Sequence, residues 1–292
     1  MKTTKKQRTH KLQSIPTTLT KKEFKQFVLP SLKSPTKGPK RKISDFKIFN
    51  YILYLLHTGC QWFQLPIKQN SSGEPEIHPT RIYHAFRYWL ANGSFERIFE
   101  GTVAQLFEQK LLDLDVGRGD GTCTVAKKGG DNIGRNGHKH HKGDKVVALC
   151  DRNCHIICPF ISRPGNRHET KMLDSAVNSL KRIAKIIGFS IKERVMSLDG
   201  AYDSRANRKL LHNNGMVPNI PKNKRNSKSK SAAGRKPKFD KGIYDERFRT
   251  IERVFAWEDK FRRVLVRFER MSTCHYGLKT LAYSMINLRS LI

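Results

Sequence analysis

Residues 193–211 read ERVMSLDGAYDSRANRKLL, and their order decides the fold class. The run RVMSL has strand character and ends on an acid, Asp199. Gly200 begins a turn, Asp203 is placed to cap a helix, and SRANRKLL keeps helical spacing. Upstream, HETKMLDSAVNSLKRIAKIIG (168–188) sets Met172, Leu173, Val177, Leu180, Ile183, Ala184 and Ile187 at the spacing of an amphipathic helix. Before it, KVVALCD and HIICPFISR form a predicted hairpin around the turn DRNC, and DGTCTVA (120–126) is a further strand. Downstream, VPNI (217–220) is a short strand. YDERFRTIERVFAWEDKFRRVLVRFER (244–270) reads as a helix, and YGLKTLAYSMINLRSLI (276–292) as another.

Three strands, a helix, a strand and later helices make the element order of the ribonuclease H-like α/β fold with a mixed sheet. In that fold an acid on the first strand lies beside one at the end of the fourth, and a later helix supplies a third. Asp120, Asp199 and Glu252 occupy those places here. Spacing leaves rivals for each. Asp113 and Asp115 precede Asp120, and Asp203 follows Asp199. Glu258 shares with Glu252 the border of the apolar face of its helix.

The three acids stand out because the chain around them is basic. Its 292 residues carry 57 Lys plus Arg against 25 Asp plus Glu, a formal charge of +32. Such a chain repels itself when compact unless a polyanion partners it, and nucleic acid is the usual one. An anionic membrane is disfavoured, since there is no long basic amphipathic helix. The longest apolar runs, such as YILYLL (51–56), fall short of the ~18 residues of a membrane span. No secretory leader is recognisable, so an intracellular, cytoplasmic protein is expected. Cys150, Cys154 and Cys158 recur every fourth residue in β-type segments and read as small buried hydrophobes rather than a zinc site.

Residues 1–42 hold thirteen Lys or Arg and one acid, Glu23, and are expected to be a basic flexible arm with at most a short helical turn at KKEFKQFVL. Residues 43–115 form a predicted all-α, helix-turn-helix-like DNA-binding domain. Ser44 caps its first helix, which stops at Gly59. Pro79 begins the second helix and Ser94 the third, with Arg81, Arg87 and Arg97 on outer faces. Residues 116–292 are the expected catalytic domain, interrupted by a basic loop at 222–240.

Carboxylates in a cationic frame suit phosphodiester chemistry. Two divalent cations ~4 Å apart can activate an attacking oxygen and stabilise a leaving one, and hard oxygen ligands favour Mg2+ or Mn2+. Without a cation the cluster opposes itself, since unit charges ~4 Å apart repel by about 4 kcal/mol at an effective dielectric of 20.

From about residue 40 onward the chain resembles the bacterial insertion-sequence transposases of the DDE type, group five. The resemblance rests on TGCQWFQLP (58–66), HPTRIYHAFRYW (78–89), GDGT (119–122), NGHKHHKGDK (136–145), PGNRHET (164–170), SLDGAYDSRANRKLL (197–211), MVPNIPKN (216–223) and RTIERVFAWEDKFRRVLVRFER (249–270). It implies that Asp120, Asp199 and Glu252 are the catalytic, metal-binding triad, with two ions per site. It favours Glu252 over Glu258 through the IER context. Tyr244 and Arg247 approximate the tyrosine and arginine that precede the family's glutamate. Lys260 is nearest to a family lysine, but at a loose spacing, and receives no role.

The function implied is binding of terminal inverted repeats, metal-dependent cleavage and strand transfer, by a homodimer or higher oligomer on double-stranded DNA of transposon ends and target. Arg81, Arg87, Lys139, Lys142, Lys222, Lys224, Arg225, Arg247, Arg249 and Arg253 are the expected DNA contacts. His138, His140 and His141 lie in the same Lys-rich stretch. His168 and Glu169 sit at a strand-to-helix turn from which they could approach the triad, or serve only to start the helix. The competing readings are a nuclease that cuts without joining and a silent DNA-binding regulator.

Overall fold

The computed structural model describes residues 14–35, 41, 43–137, 139–223 and 237–292. The first helical segment lies where a flexible arm was expected. Thr20 and Glu23 cap each other reciprocally (Glu23 N–H to Thr20 Oγ1 3.2 Å, Thr20 N–H to Glu23 Oε2 2.7 Å) and start α1, Lys21–Glu23. The chain continues through a π turn, Phe24–Val28, and a 3-10 turn, Leu29–Ser31. Phe24, Phe27 and Val28 are buried, and the Phe24 ring centroid lies 5.6 Å from those of both Phe46 and Phe49. The apolar spacing of FKQFVL outweighs the surrounding charge, so this part of 1–42 belongs to the folded body; residues 1–13, 36–40 and 42 lie outside the described residues.

Three longer helices follow: α2 (Asp45–Thr58), α3 (Pro79–Ala91) and α4 (Ser94–Glu108). Ser44 caps α2, and Gly59 ends it at φ 75°, a left-handed conformation natural to glycine. Pro79 occupies the first turn of α3 as expected. Ser94 begins α4 as expected, with Gly93 at the cap position. Ser94 is buried as the first helical residue and donates its hydroxyl to Asn92 Oδ1 at 2.6 Å. Arg97 does not face outward freely. Its guanidinium donates to the Asn92 carbonyl (2.8 Å), Ser94 Oγ (3.0 Å) and the Ser31 carbonyl (3.2 Å), tying the first segment to α4.

The sheet comprises β1 (Val116–Ala126), β2 (Gly134–Asn136), β3 (His141–Cys150), β4 (Ile161–Pro164), β5 (Val195–Ser197), β6 (Val217–Asn219) and β7 (Val266–Arg267). β1 is central. It runs antiparallel to β3 and parallel to β5, and β6 continues parallel beyond β5. β4 pairs antiparallel with the far edge of β3. The order β4-β3-β1-β5-β6, three antiparallel strands followed by two parallel ones, is ribonuclease H-like topology. The crossover helices are α5 (Leu173–Ile187), ended by Gly188 at φ 90°, and α6 (Arg205–Asn213). Ser204 caps α6. Asp203, the expected cap, instead pairs with Arg208 at 2.8 Å and accepts from the Asn223 amide at 2.8 Å.

The stretch 244–270 is not one helix. It divides into α7 (Lys241–Asp245), a 3-10 turn (Glu246–Arg249), α8 (Ile251–Glu258) and α9 (Arg262–Leu265) before entering β7. The break falls at Thr250, with φ −124° and ψ −95°, where its hydroxyl donates to the Glu246 carbonyl at 3.0 Å. The alternation in VLVRF emerges as β7, which pairs with β1 through Val125↔Val266.

The last helix, α10 (Ser272–Leu288), is buried on nearly every side and packs against α3, α4 and α8. A Cβ on Gly277 would lie 2.5 Å from Leu90 Cδ1, so glycine sets how closely α10 approaches α3. Asn287 joins the two halves: its Nδ2 donates to Thr102 Oγ1 of α4 (3.3 Å) and to the Ile156 carbonyl (2.9 Å), and its Oδ1 accepts from the Ile156 amide (2.9 Å). One continuous core therefore spans the boundary drawn at residue 115 from sequence. No helix among the described residues is long and apolar enough to cross a membrane.

Candidate active site

Parallel pairing of β1 with β5 places Arg118 opposite Ser197; two residues further along each strand come Asp120 and Asp199. Side chains alternate faces along a strand, so equal steps from a paired position bring both acids to the same face. Asp199 lies just past β5, where it caps a 3-10 turn (Gly200–Tyr202) by accepting from the Ala201 amide at 2.8 Å. Asp120 accepts from the Gly121 amide at 2.7 Å. Burial pushes the Asp120 carboxyl up to about 6; the Gly121 bond opposes the rise, while the charges of Asp199 and Glu169 add to it.

Glass-tight packing around β1 explains its glycines. A Cβ on Gly119 would lie 2.6 Å from Leu149 Cδ2 and 2.8 Å from Leu198 Cδ2. On Gly121 it would collide with Glu169 Oε2. Glu169 opens the 3-10 turn Glu169–Met172 that precedes α5, a turn capped by His168. His168 is thus a capping residue, as one of the two sequence readings held. Lys145 Nζ stands 3.7 Å from the Glu169 carboxylate. Tyr202 is fully buried, and its hydroxyl has no hydrogen-bond partner among the described residues. Burial raises the Tyr202 pKa well above its ordinary value, and the charges of Glu169, Asp120 and Asp199 raise it further.

Glu252 occupies the first turn of α8, where helix amides favour a carboxylate. It is exposed, with Arg247 Nε 3.8 Å from its Oε1. Arg247 connects the parts of the site. It lies over the rings of Tyr244 (4.5 Å) and Phe248 (4.8 Å), donates to Tyr244 Oη at 2.5 Å, and lowers the Asp120 pKa. Tyr244 in turn feels Asp199 and Asp120, whose charges add to the rise that burial gives its hydroxyl. Asp120, Asp199 and Glu169 are thus electrostatically joined, while Glu252 is linked to them through Arg247.

The rival acids are engaged elsewhere. Glu258 is buried and accepts from Tyr283 Oη at 2.6 Å, and it is ion-paired with the fully buried Lys279 of α10. Asp115 pairs with Arg194, and Asp113 Oδ1 accepts from the Asp115 amide at 3.3 Å. Cys150, Cys154 and Cys158 are buried, and Cys154 Sγ donates to the Arg249 carbonyl at 3.2 Å.

Of the expected DNA contacts, Arg81, Lys139, Lys142, Lys222, Arg249 and Arg253 are exposed. Arg87 is half-buried and donates to Tyr83 Oη at 3.2 Å and Met271 Sδ at 3.5 Å. Lys224 and Arg225, most of the basic loop and His138 lie outside the described residues. His140 is exposed, and His141 Nδ1 lies 3.2 Å from the Lys139 carbonyl.

Residues 100–285 match the model of the family described as "Transposase DDE domain". The chain belongs to that family. Residues 19–99 match a second model, described as "Putative transposase of IS4/5 family". A Burkholderia cepacia protein named "Putative transposase for insertion sequence element IS402" is 26% identical over 153 residues, which is 52% of this chain. The chain spans 63% of that relative's length. Among solved structures, a piggyBac transposase synaptic complex with hairpin DNA is similar over 94% of this chain and 73% of its own, at 12% identity and TM-score 0.47. The catalytic domain of Mos1 mariner transposase is similar over 66% and 90%, at 12% identity and TM-score 0.29. The fold assignment rests on the strand order itself.

DDE transposases depend on divalent metal ions. The donors set beside each other midway along β1 and just past β5 are carboxylate oxygens, the type that hard divalent cations take. Burial raises Asp120 and the charges of its acidic neighbours add to the rise; a cation would relieve that added part. The residues present fit such an ion in donor chemistry. As placed, no three His, Cys, Asp or Glu among the described residues are grouped closely enough to hold one.

Proposed function

We propose that this chain is a DNA transposase that binds the terminal inverted repeats of an insertion sequence, cuts the ends and joins them to target DNA. The observation that carries the reading is the pair Asp120 and Asp199, set side by side by the β1–β5 register and facing each other's charge in a protein of net +32. Glu258 is neutralised by Lys279 and Tyr283, which leaves Glu252 as the acid of α8 able to serve the site.

In this account Asp120, Asp199 and Glu252 hold Mg2+ or Mn2+, two ions per site. When bound, such ions activate the attacking oxygen and stabilise the leaving 3′ oxygen. Arg247, braced by Tyr244 and Phe248, offers its guanidinium to the phosphate being transferred, and Arg249 and Arg253 flank the same helix. Arg81, Arg87, Lys139, Lys142 and Lys222 follow the DNA backbone, and Lys224 and Arg225 are expected to contact DNA as well. Water opens one phosphodiester bond and leaves a 3′ hydroxyl. That hydroxyl then attacks a target phosphorus, so one phosphodiester forms as another breaks and no nucleoside triphosphate is needed. Joining two ends requires both to be held together, which calls for a dimer or higher oligomer.

The test uses labelled DNA carrying the sequences that flank the coding region, a target plasmid and Mg2+. Joined products support the transposase. Cleavage without joining would make the protein a nuclease, and retarded mobility without either product would make it a silent binder.

A further inference from the structure

Two residues before Asp120, on the same face of β1, stands a buried cation that the chemistry above does not use. Arg118 is 1% exposed and reaches across to the segment that carries Arg247 and Glu252. We propose that Arg118 and Glu246 form a clamp that sets Arg247 and the start of α8 against the acid-bearing stretch of β1. Both are positioning residues, acting through Arg247 and Glu252. Resting on the transposase reading above, this clamp is the device that holds its third acid in place.

The clamp grips the segment on both sides of Tyr244. Arg118 Nη1 donates to the Ile243 carbonyl of α7 at 2.5 Å, and its Nη2 donates to Glu246, the first residue of the 3-10 turn. Glu246 is held a second time from the turn that follows β3. Arg152 donates to Glu246 Oε2 from Nε at 2.7 Å and to Oε1 from Nη2 at 2.8 Å. Cys154, in the same turn, donates to the Arg249 carbonyl, so the 3-10 turn is fixed at its first and last residues. Between these anchors lies Arg247, stacked on Tyr244 and Phe248 and 3.8 Å from Glu252. α8 itself packs on β1 and β3.

Helix continuity does not orient α8. The chain breaks at Thr250, so α7 does not dictate the direction in which α8 leaves. The far end of α8 is tied by Glu258 to Lys279, and the near end is held by the turn that Arg118 and Arg152 grip. Glu252 lies in the first turn of α8, so a shift of that turn would move Arg247 and Glu252 together.

Stability alone is a weak explanation for the pair. Burial lowers the Arg118 pKa despite the charge of Glu246, and its Nε has no hydrogen-bond partner among the described residues. Buried ion pairs replaced by apolar side chains of similar volume often leave stability unchanged or raised. What an apolar pair could not supply is direction. A guanidinium that meets a carbonyl and a carboxylate at once fixes where residues 243 and 246 lie relative to Asp120.

The test is single-turnover cleavage, with Mg2+ and saturating protein, of DNA carrying the element's ends. DNA affinity is read by mobility shift and folding by melting temperature. Wild type and Asp199→Asn are compared with Glu246→Gln, Glu246→Asp and the double variant Arg118→Met/Glu246→Met, each rate normalised to the folded fraction. The clamp predicts that Glu246→Gln binds DNA within about twofold of wild type yet cuts on the order of a hundredfold slower, the loss that a misplacement of ~1 Å can cause. Glu246→Asp, which keeps the charge on a shorter arm, should recover part of that rate. The double variant should melt close to wild type and still cut slowly, which a merely stabilising pair would not cause. Cleavage at the wild-type rate by folded Glu246→Gln or by the double variant, with Asp199→Asn inactive, would overturn the clamp alone. So would a loss confined to DNA affinity. Wild type that shifts the DNA without cutting it would overturn the clamp together with the transposase reading. If Glu246→Gln is too unstable to assay, the double variant decides, because it removes the buried charge as well as its partner.

Discussion

Two groups of acids in this protein are treated in opposite ways. Glu258 is enclosed by the buried cation Lys279 and the hydroxyl of Tyr283, both on α10. Asp120, midway along β1, and Asp199, just past the end of β5, share a face; burial raises Asp120 to about 6, and the charges of Asp199 and Glu169 add to the rise. Glu258 has its counter-charge from within the chain and acts as a structural tie between α8 and α10. The second group is held together by backbone register and capped turns while its charges oppose one another. Acids arranged in that way add to the cost of folding unless something outside the chain completes them. The contrast teaches that an acid's counter-charge, more than its burial, separates the architecture from the site.

The largest expected effect breaks the contrast on the catalytic side. Asp199→Asn removes a charge that has no ion-pair partner among the described residues. Cleavage and joining should fall on the order of a thousandfold or more, while the DNA mobility shift is retained. Full activity in this variant would remove Asp199 from the site. Next comes the structural side. Lys279→Met leaves Glu258 buried without its cation and should lower stability by about 3 kcal/mol or more, read from denaturant unfolding. A change within ±0.5 kcal/mol would show that the pair is not a structural tie.

A smaller effect sharpens the comparison through pH. Because Asp120 titrates near 6 in the folded protein and near 3.8 when unfolded, the folded state binds the extra proton between those values. Its ionisation therefore costs stability as pH rises through that window, and the cost is present in full above the folded value. Asp120→Asn should melt a few degrees above wild type in chelator at pH 7.5, with the difference shrinking toward pH 4. An equal difference at both pH values would contradict the origin assigned to it. The smallest effect concerns the surface. Lys142→Ala should weaken DNA binding uniformly across sequences and reduce the slope of log affinity against log salt by about one. An unchanged slope would place Lys142 off the DNA path.

Much of this was legible in the sequence because it is local. Ser44 and Gly59 bound α2, Pro79 starts α3, and the apolar stripe of 173–187 gives α5. The strand context of Asp120 and Asp199 is local too, and the strand order that puts them side by side follows from topology. What was not legible depends on distant partners. Ile251, Val254 and Phe255 carry helical spacing through 244–270, so the break at Thr250 has no glycine or proline to announce it. The pairing of β7 with the end of β1 decides where the chain leaves the helix. Glu252 and Glu258 look alike along α8. Only Lys279 and Tyr283, more than twenty residues further on, distinguish them. The PGNRHET motif pointed to Glu169, but its contact with Gly121 exists only in the folded chain.

The most direct test of the account sets the two glutamates of α8 against each other. Single-turnover cleavage of DNA carrying the element's ends is measured for Glu252→Gln and Glu258→Gln, with each rate normalised to the folded fraction. The account predicts that Glu252→Gln folds like wild type and does not cut, whereas Glu258→Gln is destabilised and its folded molecules cut at close to the wild-type rate. Cleavage retained by Glu252→Gln and abolished in folded Glu258→Gln would contradict it.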